Sequence, residues 1–435
     1  MKFMKFQSAL RCMSIALAIG SFVSSTAISF VSRADARLFE TMSAQSAGQE
    51  TETRAAQFEK ICTSIQSRFY DKKLNGVDWT HICDTYRLKL SAVKSKAEFK
   101  TLVNQMLDEL HSSHTSYVDD NDIEYAMLGA VMDQDLQGHK IAHIGLMGHP
   151  IGPEFVVTAV YDGGPAQKAG LISGDRILSV DNKPFETAGS FKGKEGQAVG
   201  LQIRREGSLA VQTIAVTPVK QNVVKAFLDA TAQSARVLNV GSHKLGYVHL
   251  WTMGNDAFKT TLEQLVTGKL HDTEGLILDL RDGYGGNPFG YTDVFYRPDV
   301  AWEQQFHGTL PNTHFTGYDK PMVALINGGS RSAKEFFTYQ LKKTRRAVIV
   351  GTPTAGAFLG AGKVDIGPDG MLELAIVGLR IDGKRLEGAG VTPDIEVPIA
   401  HAYTDRDTQL LRGEQILTDQ LQRKSSVIAA HVSGL

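Results

Sequence analysis

The sequence predicts an α/β protein in which the main layer is preceded by a small helical domain and a mainly β domain. Three observations lead to this prediction. Apolar residues recur at helical spacing over residues 53–121, short strands alternate with glycine turns over 122–222, and strands alternate with helices over 223–420. That last alternation is typical of a layer of largely parallel strands covered by helices. Residues 421–435 are left as a C-terminal tail.

The first 36 residues have the features of a secretory signal. Lys2 and Lys5 precede an apolar stretch rich in small residues, and Ala34-Asp35-Ala36 resembles a signal-peptidase site. We expect cleavage near Ala36, which would give a periplasmic or secreted protein with no stable membrane anchor. An uncleaved anchor is the alternative, because the apolar run from Cys12 to Val31 is long.

The charge balance argues against one class of partner. The chain of 435 residues has 46 basic and 47 acidic residues, a formal net charge of -1, and no Lys/Arg block that would follow a phosphate backbone. We therefore expect no nucleic-acid partner.

Residues 37–52 are small and polar, which predicts a flexible linker before the helical domain. Signal removal takes away Cys12 and leaves Cys62 and Cys83 as an even pair in an oxidising compartment. Both cysteines fall on predicted helices that follow each other in the chain, so we expect a disulfide between them. Two buried free thiols are the alternative.

The mainly β segment contains the stretch "GGPAQKAGLISGDRILSVDN" at residues 163–182. This stretch resembles the core of a PDZ domain, and we assign residues 122–222 to that domain. Ile144-Gly145-Leu146-Met147 is the candidate for the family's carboxylate-binding loop. The resemblance implies protein or peptide substrates with apolar C-terminal tails as partners. A domain that serves only as a packing spacer is the alternative.

Three fragments of the α/β region carry residue types that do acyl-transfer chemistry. "INGGSRSAKEFF" places Ser330 and Ser332 between a strand and a helix, where helix N–H groups can stabilise an oxyanion. "LILDLRDGYGGNP" ends a buried strand with Gly285-Gly286, and "LEGAGVTPD" contains Glu387. Each has a structural alternative: Ser332 and Glu335 form a capping box, β-to-α turns are rich in glycine, and Glu387 suits a solvated loop.

In their order along the chain, these motifs resemble the carboxy-terminal processing peptidases of family S41. The resemblance runs from "LDELHSSHTSY" through the PDZ stretch to "VIVGTPTAGA" and "LEGAGVTPD", over about residues 53–420. It implies a crotonase-like or Clp-protease-like α/β core and a serine nucleophile, with no metal and no cofactor. Alignment on the glutamate of "SAKE" identifies Ser332, rather than Ser330, as the family's nucleophile.

The general base departs from one branch of the family. The tail-specific branch uses a lysine, and that position is occupied here by Ala357, while Lys363 is out of register and Lys334 is two residues beyond the serine on a helix. "SSHTSY" is similar to the Ser-His element of the tricorn-core branch, whose triad is Ser, His and Glu. By that resemblance His114 is the base, Ser113 assists it and Glu387 orients it. His111 is the rival base.

The sequence thus predicts a serine endopeptidase whose oxyanion hole is formed by backbone N–H groups of Ala333 and of Gly285 or Gly286. Two other interpretations stay open. One is a PDZ scaffold on an inactive core, because the lysine is absent. The other is a different hydrolase or acyl-transfer reaction on the same fold, since fold does not determine reaction.

Overall fold

The computed structural model describes residues 53–133, 137–205 and 207–433. The predicted signal at residues 1–36 and the linker at 37–52 lie outside the described residues. The chain from Arg54 onward forms one compact unit. Among the described residues, none of the helices combines the length and the apolar composition that a membrane crossing requires.

The helices in the described part of the chain are α1 (53–68), α2 (Trp79–Arg87), α3 (Lys96–Asp108), α4 (Ile123–Met132), α5 (Pro165–Lys168), α6 (Val223–Ser234), α7 (Asp256–Thr267), α8 (Asp293–Tyr296), α9 (Ala333–Lys343) and α10 (Thr408–Ser433). The strands are β1 (Ser116–Asp119), β2 (Lys140–His143), β3 (Leu146–Ile151), β4 (Glu154–Val160), β5 (Arg176–Val180), β6 (Val199–Arg204), β7 (Val211–Val216), β8 (Val219–Asn222), β9 (Arg236–Val240), β10 (His243–His249), β11 (Gly275–Asp279), β12 (Ala301–Gln304), β13 (Asn312–Phe315), β14 (Met322–Ile326), β15 (Val348–Gly351), β16 (Leu359–Asp365), β17 (Gly370–Gly378) and β18 (Ile395–Glu396).

The N-terminal helices begin at the caps that the sequence suggests. Asp78 accepts a hydrogen bond from the N–H of His81 at the start of α2, and Ser95 accepts one from Glu98 at the start of α3. Cys62 and Cys83 are joined as a disulfide, with their Cα atoms 6.3 Å apart. The bond links α1 to α2.

These helices share a hydrophobic core with the three-stranded sheet β1-β17-β16. The helices supply the fully buried side chains of Phe58, Ile61, Val103 and Met106, and strand β17 supplies those of Leu372 and Leu374. The helical segment and the sheet therefore form one packing unit, although more than two hundred residues of sequence separate the helices from β16 and β17.

The mainly β domain is an antiparallel sheet of five strands in the order β3-β4-β5-β6-β7, with β2 and β8 paired as its stem. Its start differs from the predicted boundary at residue 122. Residues 123–132 form helix α4, and buried residues such as Met127 pack in the core of the α/β layer. The sequence does not reveal this helix, because almost every side chain of α4 is apolar and polar residues do not recur at helical spacing.

The α/β layer is a six-stranded sheet in the order β18-β15-β14-β11-β10-β9, parallel except for the hairpin of β9 and β10. Alternate residues of β11 and β14 face two separate cores, one covered by α6, α7 and α9 and the other by α10. Helix α10 continues past the predicted boundary at residue 420, and Leu421 is buried against the sheet. Much of the expected tail 421–435 is therefore helix.

Candidate active site

The turn between β14 and α9 presents one of its two serines to solvent and buries the other. Ser330 is fully buried, and its hydroxyl donates to the carbonyl oxygen of Leu280 at 2.8 Å and accepts from the N–H of Asn327. Ser332 lines a cleft and has φ 58° and ψ -122°, a left-handed conformation that is costly for a serine. Strained turns of this kind display nucleophilic serines in other hydrolases.

Glu335 holds this turn in place. Its carboxylate accepts hydrogen bonds from the N–H of Ser332 at 3.1 Å, from the N–H groups of Gly356 and Ala357 at 2.8 Å, and from the hydroxyl of Thr354 at 2.6 Å. The N–H of Ser332 also donates to the carbonyl oxygen of Ala357. The bond from the N–H of Ser332 to Glu335 is the glutamate half of the predicted capping box.

A hydrogen-bonded series leads from Glu387 to His114 through Ser113. The Ser113 hydroxyl lies 3.0 Å from Oε2 of Glu387 and 2.8 Å from Nδ1 of His114. Glu387 also accepts from the N–H of Ser113 at 2.9 Å and from the N–H of Phe358 at 2.7 Å. Glu387 is thus anchored by three donors, and it is connected to the imidazole through the serine rather than by direct contact.

This series determines which imidazole nitrogen is free to act as a base. A carboxylate only accepts hydrogen bonds, so the single proton of the Ser113 hydroxyl points to Glu387. The same hydroxyl oxygen then accepts from Nδ1–H of His114. Nε2 carries the lone pair and has no hydrogen-bond partner among the described residues. Because His114 is buried, the pKa of its imidazole is lowered, which favours the neutral base at pH 7.

The structure separates the two candidate histidines. His114 is 8% exposed and lines the same cleft as Ser332, whereas His111 is exposed and lies outside that cleft. No hydrogen bond joins the Ser332 hydroxyl to His114 in the described part of the chain. Such bonds often tighten only when substrate binds.

The predicted oxyanion donors surround Ser332. Gly285 packs so closely that a side-chain Cβ there would lie 2.4 Å from the Cβ of Ser332, and Gly286 has φ 132°. The carbonyl oxygen of Gly285 is occupied by the N–H of Met253. The N–H groups of Gly285, Gly286 and Ala333 have no acceptor among the described residues. Among the described residues, three unpaired donors therefore belong to residues that line the cleft together with Ser332.

Neither nearby lysine is placed to replace the lysine base of the tail-specific branch, whose position is occupied here by Ala357. Lys334 is fully buried, and its ammonium group donates to the carbonyl oxygen of Asp282 at 2.6 Å, away from the cleft. Lys363 pairs with Asp133 at 2.6 Å. Ala357 is 8% exposed and provides only its backbone to the site.

The cleft itself has a volume of about 720 Å3 and mostly apolar walls. One wall is helix α4, which contributes Met127, Leu128 and Val131, and another is the start of strand β16. Glu124 of α4 accepts a 3.1 Å hydrogen bond from the hydroxyl of Tyr284, which stands just before the glycine pair.

The predicted carboxylate-binding loop lies in the β domain, and Ser332 lies in the α/β layer. Ile144 and Leu146 are buried in the core of the β domain, and Gly145 has φ 75°. The carbonyl oxygens of Ile144 and Gly145 accept from Ala166 and Tyr161, and Met147 packs against the core of the α/β layer.

Sequence reasoning missed several residues of the site. The sequence identified Glu335 only as a helix-capping residue, because its hydrogen-bond partners Thr354, Gly356 and Ala357 lie about twenty residues further along the chain. The Glu124–Tyr284 contact and the position of Arg331 in the cleft depend on long-range packing that no local pattern encodes.

Comparisons with known proteins agree with the motifs. Models of three families match: peptidase family S41 over residues 244–397, the tricorn protease C1 domain over 50–108 and the PDZ domain over 156–205. The chain is 27% identical to carboxyl-terminal-processing peptidase 2 of Arabidopsis thaliana, over 77% of this chain and 67% of that one. It is 28% identical to the carboxy-terminal-processing protease of Bartonella bacilliformis, over 74% of each chain.

The solved structure of the tricorn protease has a similar fold. The TM-score is 0.51 at 15% identity, over 86% of this chain and 37% of that chain. The predicted fold class, a mixed α/β core with a PDZ domain and a helical N-terminal region, is confirmed. Residues 244–397 are therefore a peptidase S41 domain, which follows a tricorn-type C1 domain and a PDZ domain, and the chain is a serine-type peptidase.

Proposed function

We propose that this peptidase is a periplasmic or secreted endopeptidase that cleaves unfolded or tail-bearing proteins with Ser332, His114 and Glu387. The observation that carries the proposal is the series Glu387–Ser113–His114, which ends in the cleft that Ser332 lines. Nε2 of His114 takes the proton of Ser332 as the hydroxyl attacks the scissile carbonyl. The resulting oxyanion binds to the N–H groups of Ala333 and of Gly285 or Gly286.

We further propose that the substrate lies as an extended strand along β16. The sheet order β1-β17-β16 leaves one edge of β16 unpaired, and Leu359, Gly360 and Ala361 on that strand line the cleft. The N–H of Ile366 bonds to Gly370, so by antiparallel alternation Ala361 directs its N–H away from β17. Substrate side chains would pack against the apolar face of α4.

The PDZ domain is proposed to hold the C-terminal tail of the substrate. Strand β3 is at the end of its sheet, which leaves one side open to an added strand. Pro150 has no N–H, so the usable stretch is the half of β3 that begins at Leu146. Cleavage and binding of one substrate with a free and with an amidated C-terminus test this role, and equal values for both would contradict it.

Labelling by a fluorophosphonate tests the endopeptidase proposal. Wild-type protein should be labelled at Ser332, and Ser332→Ala and His114→Ala should not. Ser330→Ala is the matched control, since it removes the neighbouring buried hydroxyl. Absence of labelling and of peptide cleavage in the folded wild-type protein would favour an inactive scaffold, and cleavage of esters without cleavage of peptides would favour a different hydrolase.

A further inference from the structure

Two arginines in the cleft have no carboxylate partner among the described residues. Arg331, directly before Ser332, is half-buried and lines the cleft, and its side chain forms no hydrogen bond or ion pair in the described part of the chain. Arg380 also lines the cleft and is exposed, and within the described residues its side chain donates only to the carbonyl oxygen of Gly383. By contrast, the fully buried Arg281 pairs with Asp279 and Asp407.

The chain neighbours of both arginines lie near the beginning of β16. Arg331 precedes Ser332, whose N–H binds the carbonyl oxygen of Ala357, two residues before β16 begins. Arg380 follows β17, where Gly378 is paired with Leu359 at the beginning of β16. Arg331 is also close enough to His114 for its charge to contribute to the lowered pKa of the imidazole, after the larger effect of burial.

The two carboxylates that line the cleft have other hydrogen-bond partners. Glu373 lies opposite Lys363 in the strand register and accepts a hydrogen bond from the Ser116 hydroxyl, and its backbone is roughly 20 Å along β17 from Leu379 at strand spacing. Glu124 accepts a hydrogen bond from the Tyr284 hydroxyl, and burial raises the pKa of the Glu124 carboxyl group. Among the described residues, neither of these two carboxylates forms an ion pair with Arg331 or Arg380.

We propose that Arg331 and Arg380 bind a carboxylate of the substrate, so that this peptidase selects peptides with an acidic group near the scissile bond. The planar guanidinium group presents paired donors that match a carboxylate in geometry and charge. The carboxylate comes either from an Asp or Glu side chain or from the free C-terminus of the substrate. This inference rests on the proposed peptidase function and specifies its substrate class.

The test is peptide binding to the full chain with Ser332→Ala, which does not require catalysis. The probes are fluorescein-labelled apolar peptides, amidated at the C-terminus, in which a single Asp or Asn is moved through successive positions. A second pair has no acidic residue and ends in a free acid or an amide. We expect one acidic member to bind about tenfold more tightly than its neutral match, as for a hydrogen bond to a charged group.

Variants of the two arginines test whether the preference for acidic peptides arises from Arg331 and Arg380. Arg331→Gln and Arg380→Gln, each in the Ser332→Ala chain, should bring the ratio of acidic to neutral binding close to one, and Arg331→Lys should restore part of it. Arg345→Gln is the matched control, because this exposed arginine follows the far end of α9 and lies outside the cleft.

Equal binding of every acidic and neutral pair would overturn the proposal. A preference that survives in both glutamine variants would do the same, since the carboxylate would then bind elsewhere, for example in the PDZ domain. Cleavage of the neutral peptides by the chain that retains Ser332 is measured separately. If the neutral peptides are not cleaved, the peptidase proposal is contradicted, but the measured ratio of acidic to neutral peptide binding is unaffected.

Discussion

The ammonium group of Lys334 donates a 2.6 Å hydrogen bond to the backbone carbonyl of Asp282. Lys334 is the second residue of α9, and Asp282 stands three residues before Gly285, so this bond ties helix α9 to the loop that contains the glycine pair. Burial lowers the pKa of Lys334 to about 7. The lysine is therefore a structural tie whose charge changes near neutral pH.

We expect Lys334→Met to remove a pH dependence of stability. Because the pKa of Lys334 is lowered from 10.5 to about 7, the unfolded chain binds more protons between these values. The free energy of unfolding of the wild-type protein should therefore rise with pH across this window, relative to Lys334→Met. Urea unfolding at pH 7, 8 and 9 measures the difference, with the exposed Lys72→Met as control. A constant difference between wild type and Lys334→Met would contradict the assignment.

Ser113→Ala should lower kcat by roughly 10²- to 10⁴-fold, since it disconnects Glu387 from the imidazole and leaves the tautomer of His114 unspecified. Glu387→Gln should have a similar effect, and the double variant should be little worse than either single one, because the residues act as a unit. Ser112→Ala is the control, since its hydroxyl donates to the carbonyl of Ser113 rather than to the imidazole. Additive losses of kcat would argue against the relay.

The acid limb of the pH profile of kcat/KM should move in opposite directions in two variants. Burial lowers the pKa of His114, while the charge of Glu373 raises it and the charge of Arg331 lowers it. The base must be neutral to act, so Glu373→Gln should extend activity to lower pH and Arg331→Gln should confine it to higher pH. Profiles that shift in the same direction would show that His114 is not the titrating base.

Gly285→Ala should abolish most activity while the protein stays folded. The new Cβ would lie 2.4 Å from the Cβ of Ser332 and 2.8 Å from the N–H nitrogen of Ala333, which forces the nucleophile and the oxyanion donors apart. Loss of one oxyanion donor alone typically costs about 10²- to 10³-fold in kcat. Gly328→Ala, in open space on the neighbouring turn, is the control. Near-normal kcat in Gly285→Ala would exclude this loop from the oxyanion hole.

Removal of the Cys62–Cys83 bond should destabilise the helical segment. The two cysteines are separated by 21 residues in sequence, and a cross-link over such a loop contributes about 3 kcal/mol in the chain-entropy model. The unfolding free energy of Cys62→Ser/Cys83→Ser, compared with the oxidised wild type, measures this. Two reactive thiols in the denatured, non-reduced wild-type protein would contradict the bond itself.

Local patterns predicted much of this architecture because the helices carry their own caps and the buried strands are apolar throughout. The capping box at Ser95 and the apolar strand β11 are examples. The same reasoning did not predict helix α4, since α4 has apolar residues on nearly every side and lacks a periodic face. A helix buried on all sides offers no amphipathic pattern to detect.

The candidate site was predictable where a motif combined residue type with position, as at Ser332, His114 and Glu387. The intermediary role of the Ser113 hydroxyl required a contact between residues 274 apart in sequence. The locking of the nucleophile turn by Glu335 likewise depends on the fold bringing the turn at Thr354 to the helix N-terminus. Sequence patterns record which groups are present, whereas their partners emerge only from packing.

The core shared by α1, α3 and the β16–β17 sheet has a consequence for how this enzyme is subdivided. The β16 wall of the cleft packs, on the face that points away from the cleft, against side chains of the N-terminal helices. A fragment cut at the boundary of the α/β region would therefore expose the back of its own substrate strand to water. In this chain the segments defined by sequence motifs therefore do not coincide with the unit that packs together.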